Sequence, residues 1–285
     1  MSVKLRPGNI EDAEACGAIC YHAFRAIAEH HRFPPDFPSV QVAVGLLSQL
    51  LSHPGFYSVV VEDNGRIVGS NFLDERSHVA GVGPITIDPD VQNRGIGKAL
   101  MEDVLTRVKQ RAFPGARLLQ ATYHNRSLCL YAKLGFEIRE LISTIQGQPI
   151  SRKIPGLPVR AAIEEDQESC NRLCVKVHGH DRAGDLADAI AQGTARVVER
   201  EGRITGYSTS LAFFGHSVGE SNDDLKALIS AAQEFQGPGF LLPARNGEML
   251  RWCLSQGWRV VQPMALMSIG FYNEPDGAYL PSVFY

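Results

Sequence analysis

Three short segments of this chain occur twice, in the same order. "RPGNIEDAEACGAIC" at 6–20 returns as "RAAIEEDQESCNRLC" at 160–174, an offset of 154. "EDNGRIVGS" at 62–70 returns as "EREGRITGY" at 199–207, an offset of 137. "LYAKLGF" at 130–136 returns as "WCLSQGW" at 252–258, an offset of 122. Repetition in a fixed order implies a duplicated domain, and 285 residues suit two domains of about 140 each. The falling offset makes the second copy shorter, by 17 residues (154 − 137) before its second strand and by 15 more (137 − 122) beyond it. The stretch "QGQPISRKIPGLP", 146–158, has three prolines, two glycines and no periodicity. The expected division is a first domain at 1–146, a linker at 147–157 and a second domain at 158–285.

A hydrophobic content of 44% with 21% charged residues is that of a soluble globular protein. The formal net charge of −3 offers no basic field for nucleic acid or an anionic membrane. The opening "MSVKLRPGNIEDAEAC" has no apolar h-region, and no apolar run reaches bilayer length. Cys16, Cys20, Cys129, Cys170, Cys174 and Cys253 have no x-x spacing. They read as reduced, mostly buried thiols in a cytoplasmic protein, with no metal site expected.

In the first half, "VKLR" reads as a strand. Asn9 can cap a helix whose Cys16, Cys20, Ala23 and Ile27 share a face. "HHRFPPDFPS" reads as a proline-broken surface loop and 41–51 as a helix. "FYSVVVEDNGRIVGSNFL" is a hairpin with Asn-Gly at its turn. "VAGVGPITID" is an apolar central strand, followed by a helix, a strand at "RLLQATY", a helix ended by Gly135, and a last strand at "FEIRELIST". The order is β-α-α-β-β-β-α-β-α-β.

The turn "VQNRGIGKAL", 91–100, joins the apolar strand to a helix. First-turn amides of a helix lack internal partners and lie at the positive end of its dipole, which suits phosphate. Gly95 and Gly97 bare the main chain to a bulky anion, and Arg94 and Lys98 add positive charge at the rim. No Gly-Lys-Ser/Thr follows at Walker spacing.

The turn fits Gln/Arg-x-x-Gly-x-Gly/Ala through Gln92, Gly95 and Gly97, and about thirty residues on comes "NRSLCLYAKLGF". Together these resemble the GNAT superfamily of acyl-CoA-dependent N-acetyltransferases, over the whole first half. The resemblance implies an α/β (α+β) fold of two tandem GNAT-like domains, each a mixed, mostly antiparallel central sheet flanked by helices. It implies acetyl-CoA as co-substrate, with its pyrophosphate on the amides of Asn93, Arg94, Gly95, Ile96, Gly97, Lys98 and Ala99. Its pantetheine arm would pair with the strand Ile85-Thr86-Ile87, which requires a neighbouring strand to splay away. Asn125 matches the family's residue near that arm and could equally cap the helix it begins. Tyr131 matches the family's general acid.

The implied reaction is direct attack of a primary amine, expected to be a small molecule, on the thioester in a ternary complex. A protein-lysine acetyltransferase and a non-catalytic acyl-CoA sensor are the alternatives. "HVAGVGPITI" has no carboxylate where many family members carry a Glu base. Asp74, Glu75 and His124 are the expected candidates for base or acceptor binding, with His30 and His31 on the proline-broken loop. In the second half, "GHSVGESNDDLKAL" has lost the glycine pair and gained Asp223-Asp224, and Cys253 stands where the tyrosine would be. That copy reads as degenerate: a support for the first domain or a wall of its acceptor pocket. The apolar tail "EPDGAYLPSVFY" is expected either to pack on its own domain or to cross to the first domain's cleft, bringing the Tyr285 carboxylate.

Overall fold

The computed structural model describes residues 3–284; Tyr285, and with it the expectation for its carboxylate, lies outside the described residues. The first half runs β1 Val3–Pro7, α1 Ala13–His31, α2 Val40–Ser52, β2 Phe56–Asp63, β3 Arg66–Asp74, β4 Ala80–Val82, β5 Thr86–Ile87, α3 Ile96–Gln110, β6 Gly115–Ala121, α4 Asn125–Lys133 and β7 Glu137–Gln146. The second runs β8 Val159–Ala161, α5 Gln167–His178, α6 Ala183–Ala191, β9 Arg196–Arg200, β10 Arg203–Ser208, β11 Ser217–Gly219, α7 Asn222–Ala231, β12 Phe240–Pro243, α8 Gly247–Ser255, β13 Arg259–Gly270 and β14 Ala278–Leu280. The fold is mixed α/β, two tandem domains with sheets flanked by helices.

Local chemistry explains the shared parts. Ahead of α1 the Asn9 side chain accepts from the Glu11 amide and the Asp12 carboxylate from the Asn9 amide, each at 2.9 Å. This reciprocal cap is followed by a helix that buries Cys16 and Cys20. The β2–β3 turn puts Asn64 at φ 52° and Gly65 at φ 79°, both positive as a two-residue hairpin of matching twist requires. The repeated segments carry a repeated ion clamp. Arg6 binds Asp12 at 2.7 Å and Glu62 at 2.6 Å; Arg160 binds Asp166 at 2.6 Å and Glu199 at 2.7 Å. Each clamp ties the start of a domain to its second strand.

Two expectations are corrected. The apolar strand "VAGVGPITID" is broken: β4 and β5 both pair with β3, but only β4 pairs with β6, in parallel. Gly83, at φ 131°, and Pro84 interrupt it, since proline supplies no amide to a ladder. His30 and His31 are not in the loop but in the last turn of α1. No breaker precedes Pro34, and the helix ends only where Arg32 turns to φ 60°.

The halves are not side-by-side beads. Strand β13 inserts between β6 and β7, antiparallel to both, from Met264 opposite Ala121 to Gly270 opposite Gly115. β12 then pairs with the other side of β7. The sheet reads β1-β2-β3-β4-β6-β13-β7-β12, and the second is β14-β11-β10-β9-β8. Without β13, β6 and β7 would leave their ladder amides unpaired inside the molecule, where each unmade bond costs about 1–3 kcal/mol. We therefore expect the full chain to unfold in one cooperative transition by circular dichroism, and a chain ending at residue 158 to lack native near-ultraviolet signal.

Buried charge joins the halves as well. Arg76, between β3 and β4, binds Asp74 at 2.6 Å, Asp188 at 2.8 Å and Asp185 at 3.3 Å. Asp185 also meets Arg182 at 2.8 Å and accepts from His216 Nδ1 at 3.0 Å, while His216 Nε2 accepts from the Tyr207 hydroxyl at 2.8 Å. Burial opposes the Asp185 charge, but Arg182, His216 and Arg76 outweigh it and hold the carboxyl well below its ordinary range. Burial pushes His216 down to about 4, so it is neutral there. Asp185→Asn leaves two arginines short of a counter-charge and should cost about 3–5 kcal/mol, read from the urea midpoint at pH 7. Because the folded carboxyl is depressed, its contribution is complete above the unfolded value of about 3.9 and lost below it. The gap between wild type and variant should narrow under acid.

Candidate active site

A cavity of about 920 Å³ opens between β5 and β6, the strands that the break at Gly83-Pro84 leaves unpaired. Ile85, Thr86 and Ile87 line one wall and 118–121 of β6 the other. Asp88 donates its amide to Val68 O at 2.9 Å. Alternation along an antiparallel ladder then turns the Ile87 amide away from β3 and toward the gap. A strand-like ligand can pair there.

The other end of the cavity lies at the start of α3. Asn93 has φ 65° and Gly95 φ 82°, with Gly95 at the cap position and no side chain capping the helix. The helix offers no internal partner to the amides of Ile96, Gly97 and Lys98. Ala99 does not join them, because its amide donates to Gly95 O at 3.1 Å. A Cβ on Gly97 would stand 3.0 Å from Ile87 Cδ1 and 3.5 Å from Leu130 Cδ2, so a side chain there would crowd this floor. Gln92 donates to Ile87 O at 3.3 Å and accepts from Arg126 at 2.9 Å, while Arg126 also donates to Asn93 Oδ1 at 3.4 Å. Gln92, Asn93, Gly95, Gly97, Lys98, Asn125 and Arg126 all line the cavity.

Tyr131 also lines it, although the side chain is only 6% exposed. Burial pushes the phenol up to about 12, with Ser127 opposing, so it is a protonated donor throughout the physiological range. His124 rather than Asn125 caps α4: its Nδ1 accepts from the Ser127 amide at 3.2 Å. That lone pair is committed, and burial lowers the pKa further, so His124 is a neutral wall residue. The third repeat offset places Asn246 opposite His124, and Asn246 likewise caps α8 by accepting from the Met249 amide at 3.2 Å.

Asp74 and Glu75 face elsewhere. Asp74 is 4% exposed and locked to Arg76. Glu75 holds Arg107 at 2.7 and 2.9 Å. Neither lines the cavity. The carboxylate that does is Asp36, which sequence reading passed over among the prolines of "HHRFPPDFPS". Its Oδ1 accepts from Gln262 Nε2 at 3.2 Å, and burial raises its pKa to about 6. A lone acid in an otherwise apolar, proline-broken lid was the available signal. Gln262 stands on β13, so the second domain reaches into the first domain's cavity. Phe213, Phe214, Met264, Val283 and Phe284 do the same.

The described part of the tail packs on its own domain and also reaches the first. β14 pairs with β11 inside the second domain. Beyond it Val283 donates to Phe213 O at 2.9 Å, and Phe284 packs so closely on β4 that a Cβ on Gly81 would lie within van der Waals overlap of its carbonyl. β14 occupies the gap between β11 and β12 that corresponds to the open gap between β5 and β6, with Ala278 and Leu280 in one core with Phe240 and Leu242. The start of α7 is filled too, since the buried Asp224 accepts from the Ser221 amide at 2.9 Å. The second domain has its own backbone and carboxylate where the first has space.

Residues 54–138 match a family model described as "Acetyltransferase (GNAT) domain". An uncharacterised N-acetyltransferase of Methanocaldococcus jannaschii is 33% identical over 95 residues, 31% of this chain and 41% of that protein; the chain thus spans under half the length of this curated relative. Among solved structures, one from Pyrococcus horikoshii described as a candidate acetyltransferase is similar with a TM-score of 0.77 at 17% identity, covering 99% of this chain and 94% of that one. A tandem GNAT protein from the clavulanic acid biosynthesis pathway is similar with a TM-score of 0.57 at 14% identity, covering 94% and 98%. At such identities the likeness is one of fold.

Proposed function

We propose, for a chain whose residues 54–138 match the GNAT domain model, that it transfers an acetyl group from acetyl-CoA to the primary amine of a small molecule. One observation carries this reading: the open strand edge at 85–87, the uncapped start of α3 and the Tyr131 phenol all line a single cavity. The amides of Ile96, Gly97 and Lys98 hold the pyrophosphate, with Lys98 and Arg126 at the rim. The Ile85–Ile87 edge pairs with the pantetheine arm and sets the thioester in place. The Ile87 amide is the available donor to the oxyanion. Tyr131 is the general acid for the departing sulfur. A phenol at about 12 surrenders its proton to a thiolate of ordinary basicity, near 8.5, only against about 4–5 kcal/mol. Tyr131 therefore stabilises the leaving sulfur by a hydrogen bond first, and proton transfer completes as the C–S bond opens. The enclosing tail and Phe213-Phe214 segment suit a small acceptor better than a protein surface.

Coenzyme A should bind once per chain, because β14 and Asp224 already occupy the second domain's equivalent positions. Gly97→Glu puts a carboxylate among the pyrophosphate amides and should weaken binding at least tenfold, about 1.4 kcal/mol. Calorimetry reads both; two tight sites, or full affinity in the variant, would refute the assignment.

Tyr131→Phe keeps the buried ring and removes the donor. Turnover should fall about 10²–10⁴-fold, with acetyl-CoA affinity nearly unchanged. Undiminished turnover would mean that water or another group protonates the sulfur.

A further inference from the structure

The cavity beyond the coenzyme positions is unusual in what it lacks. Asp36 is the one carboxylate among the described residues that line it. Phe24, Phe37, Phe213, Phe214, Met264 and Phe284 line the same cavity, the first two from the first domain and the rest from the second. The rings meet edge to face or tilted: Phe24 and Phe37 at 5.9 Å, Phe213 and Phe214 at 5.9 Å, Phe214 and Phe284 at 5.3 Å. Such a wall repays burial of apolar surface and penalises any second charge that finds no partner.

Asp36 is held rather than free. Gln262 is its hydrogen-bond partner among the described residues, at Oδ1, and the Tyr123 hydroxyl in turn reaches Gln262 Oε1 at 3.5 Å. Phe33 stacks on Tyr123 at 4.2 Å with ring planes 10° apart, which fixes that end of the chain. The arrangement leaves Oδ2 for one ligand hydrogen.

We propose, building on the acetyl-transfer reading, that the acceptor is a monoamine with an apolar or aromatic body, and that Asp36 is the group that takes its proton. The amine nitrogen forms the bond to the thioester carbonyl carbon, and the surplus N–H proton passes to Asp36. The C–S bond then breaks, and the sulfur takes the Tyr131 proton. Asp36 returns a proton to the phenolate through water. Amine and thioester become amide and thiol, with no other reactant. Gln262 is a positioning residue, delivered by the second domain. A polyamine or an amino acid would bring a second charge into a chamber with one carboxylate and a wall of rings.

The groups facing Asp36 bear on its titration. Cys20 from α1 and Tyr123 from the β6–α4 turn interact electrostatically with Asp36, the uncharged Gln262 from β13 bonds it, and His30, His31 and His124 line the same cavity. Burial holds the Cys20 thiol and the Tyr123 phenol up, so both stay neutral near pH 7, and no fixed cation pulls Asp36 back down. A base near 6 is ionised at pH 7, as the role requires.

The test uses the full chain. Acetyl-CoA binding is measured first by calorimetry, then thiol release with 2-phenylethylamine, hexylamine, spermidine and lysine. We expect kcat/KM for the first two to exceed that for the last two at least tenfold. Asp36→Asn should lower kcat about 10²-fold with acetyl-CoA affinity unchanged, and abolish the fall in kcat below about pH 6; Asp36→Glu should restore part of both. Gln262→Leu should shift that acid limb while leaving coenzyme binding alone. Preference for spermidine or lysine, or wild-type kcat and pH profile in Asp36→Asn, overturns the inference and leaves the acetyl-transfer reading standing. If no amine turns over, 2-phenylethylamine is titrated into the coenzyme A complex. Binding that weakens in Asp36→Asn supports the proposal; absent or unaffected binding overturns it. Failure to bind acetyl-CoA removes both readings together.

Discussion

Strand β13 is the piece on which the rest of the molecule depends. Inserted between β6 and β7, it supplies the ladder partners of both and makes the second half part of the first half's sheet. The same strand carries Gln262 and Met264 to the cavity. A duplicated chain that folded as two closed beads would have no route for a second-domain side chain to touch a first-domain carboxylate. Here the covalent connectivity and the hydrogen-bond connectivity disagree, and the cavity is built where they cross.

The two halves share one structural defect and put it to different uses. In each, the strand ahead of the third helix of the repeat parts from its neighbour. In the first half the gap stays open because Gly83 and Pro84 break the strand and Gly97 keeps the floor bare. In the second, the chain's own β14 supplies the ladder, and Asp224 satisfies the helix start. Unpaired strand edges and uncapped helix starts are costly to bury empty. One domain therefore fills them with its own atoms while the other leaves them open to the cavity. That asymmetry is the physical content of the word degenerate for the second copy.

The acidic side chains divide in a comparable way. Asp74 and Glu75 sit at the end of β3 beside arginines, and each is consumed by an ion pair that holds architecture: Asp74 through Arg76 to the second domain, Glu75 through Arg107 to α3. Asp36 has an amide for a partner and shares its cavity with phenyl rings. Burial beside an amide raises the proton affinity of Asp36 and leaves one of its oxygens to a ligand.

Much was legible in the sequence because it rests on local rules. The repeats located the duplication, and even the Arg6–Asp12–Glu62 clamp falls on repeated positions. Asn9, the Asn64-Gly65 turn and the Gly95-Gly97 stretch each carry their own backbone reason, so helix starts, hairpin and anion loop could be read from a few neighbouring residues. Tyr131 was reachable through its spacing from Gly135. What stayed hidden depends on partners distant in the chain. Nothing near Asp36 names Gln262, 226 residues away. Nothing near Asp74 names Asp185 and Asp188, and no periodicity announces that β13 will lie in the other domain's sheet. Local preferences determined which elements form and where a helix start is left uncapped. Strand exchange decided which side chains share the cavity, because hydrogen-bond ladders close with whichever edge reaches them and not with the nearest in sequence.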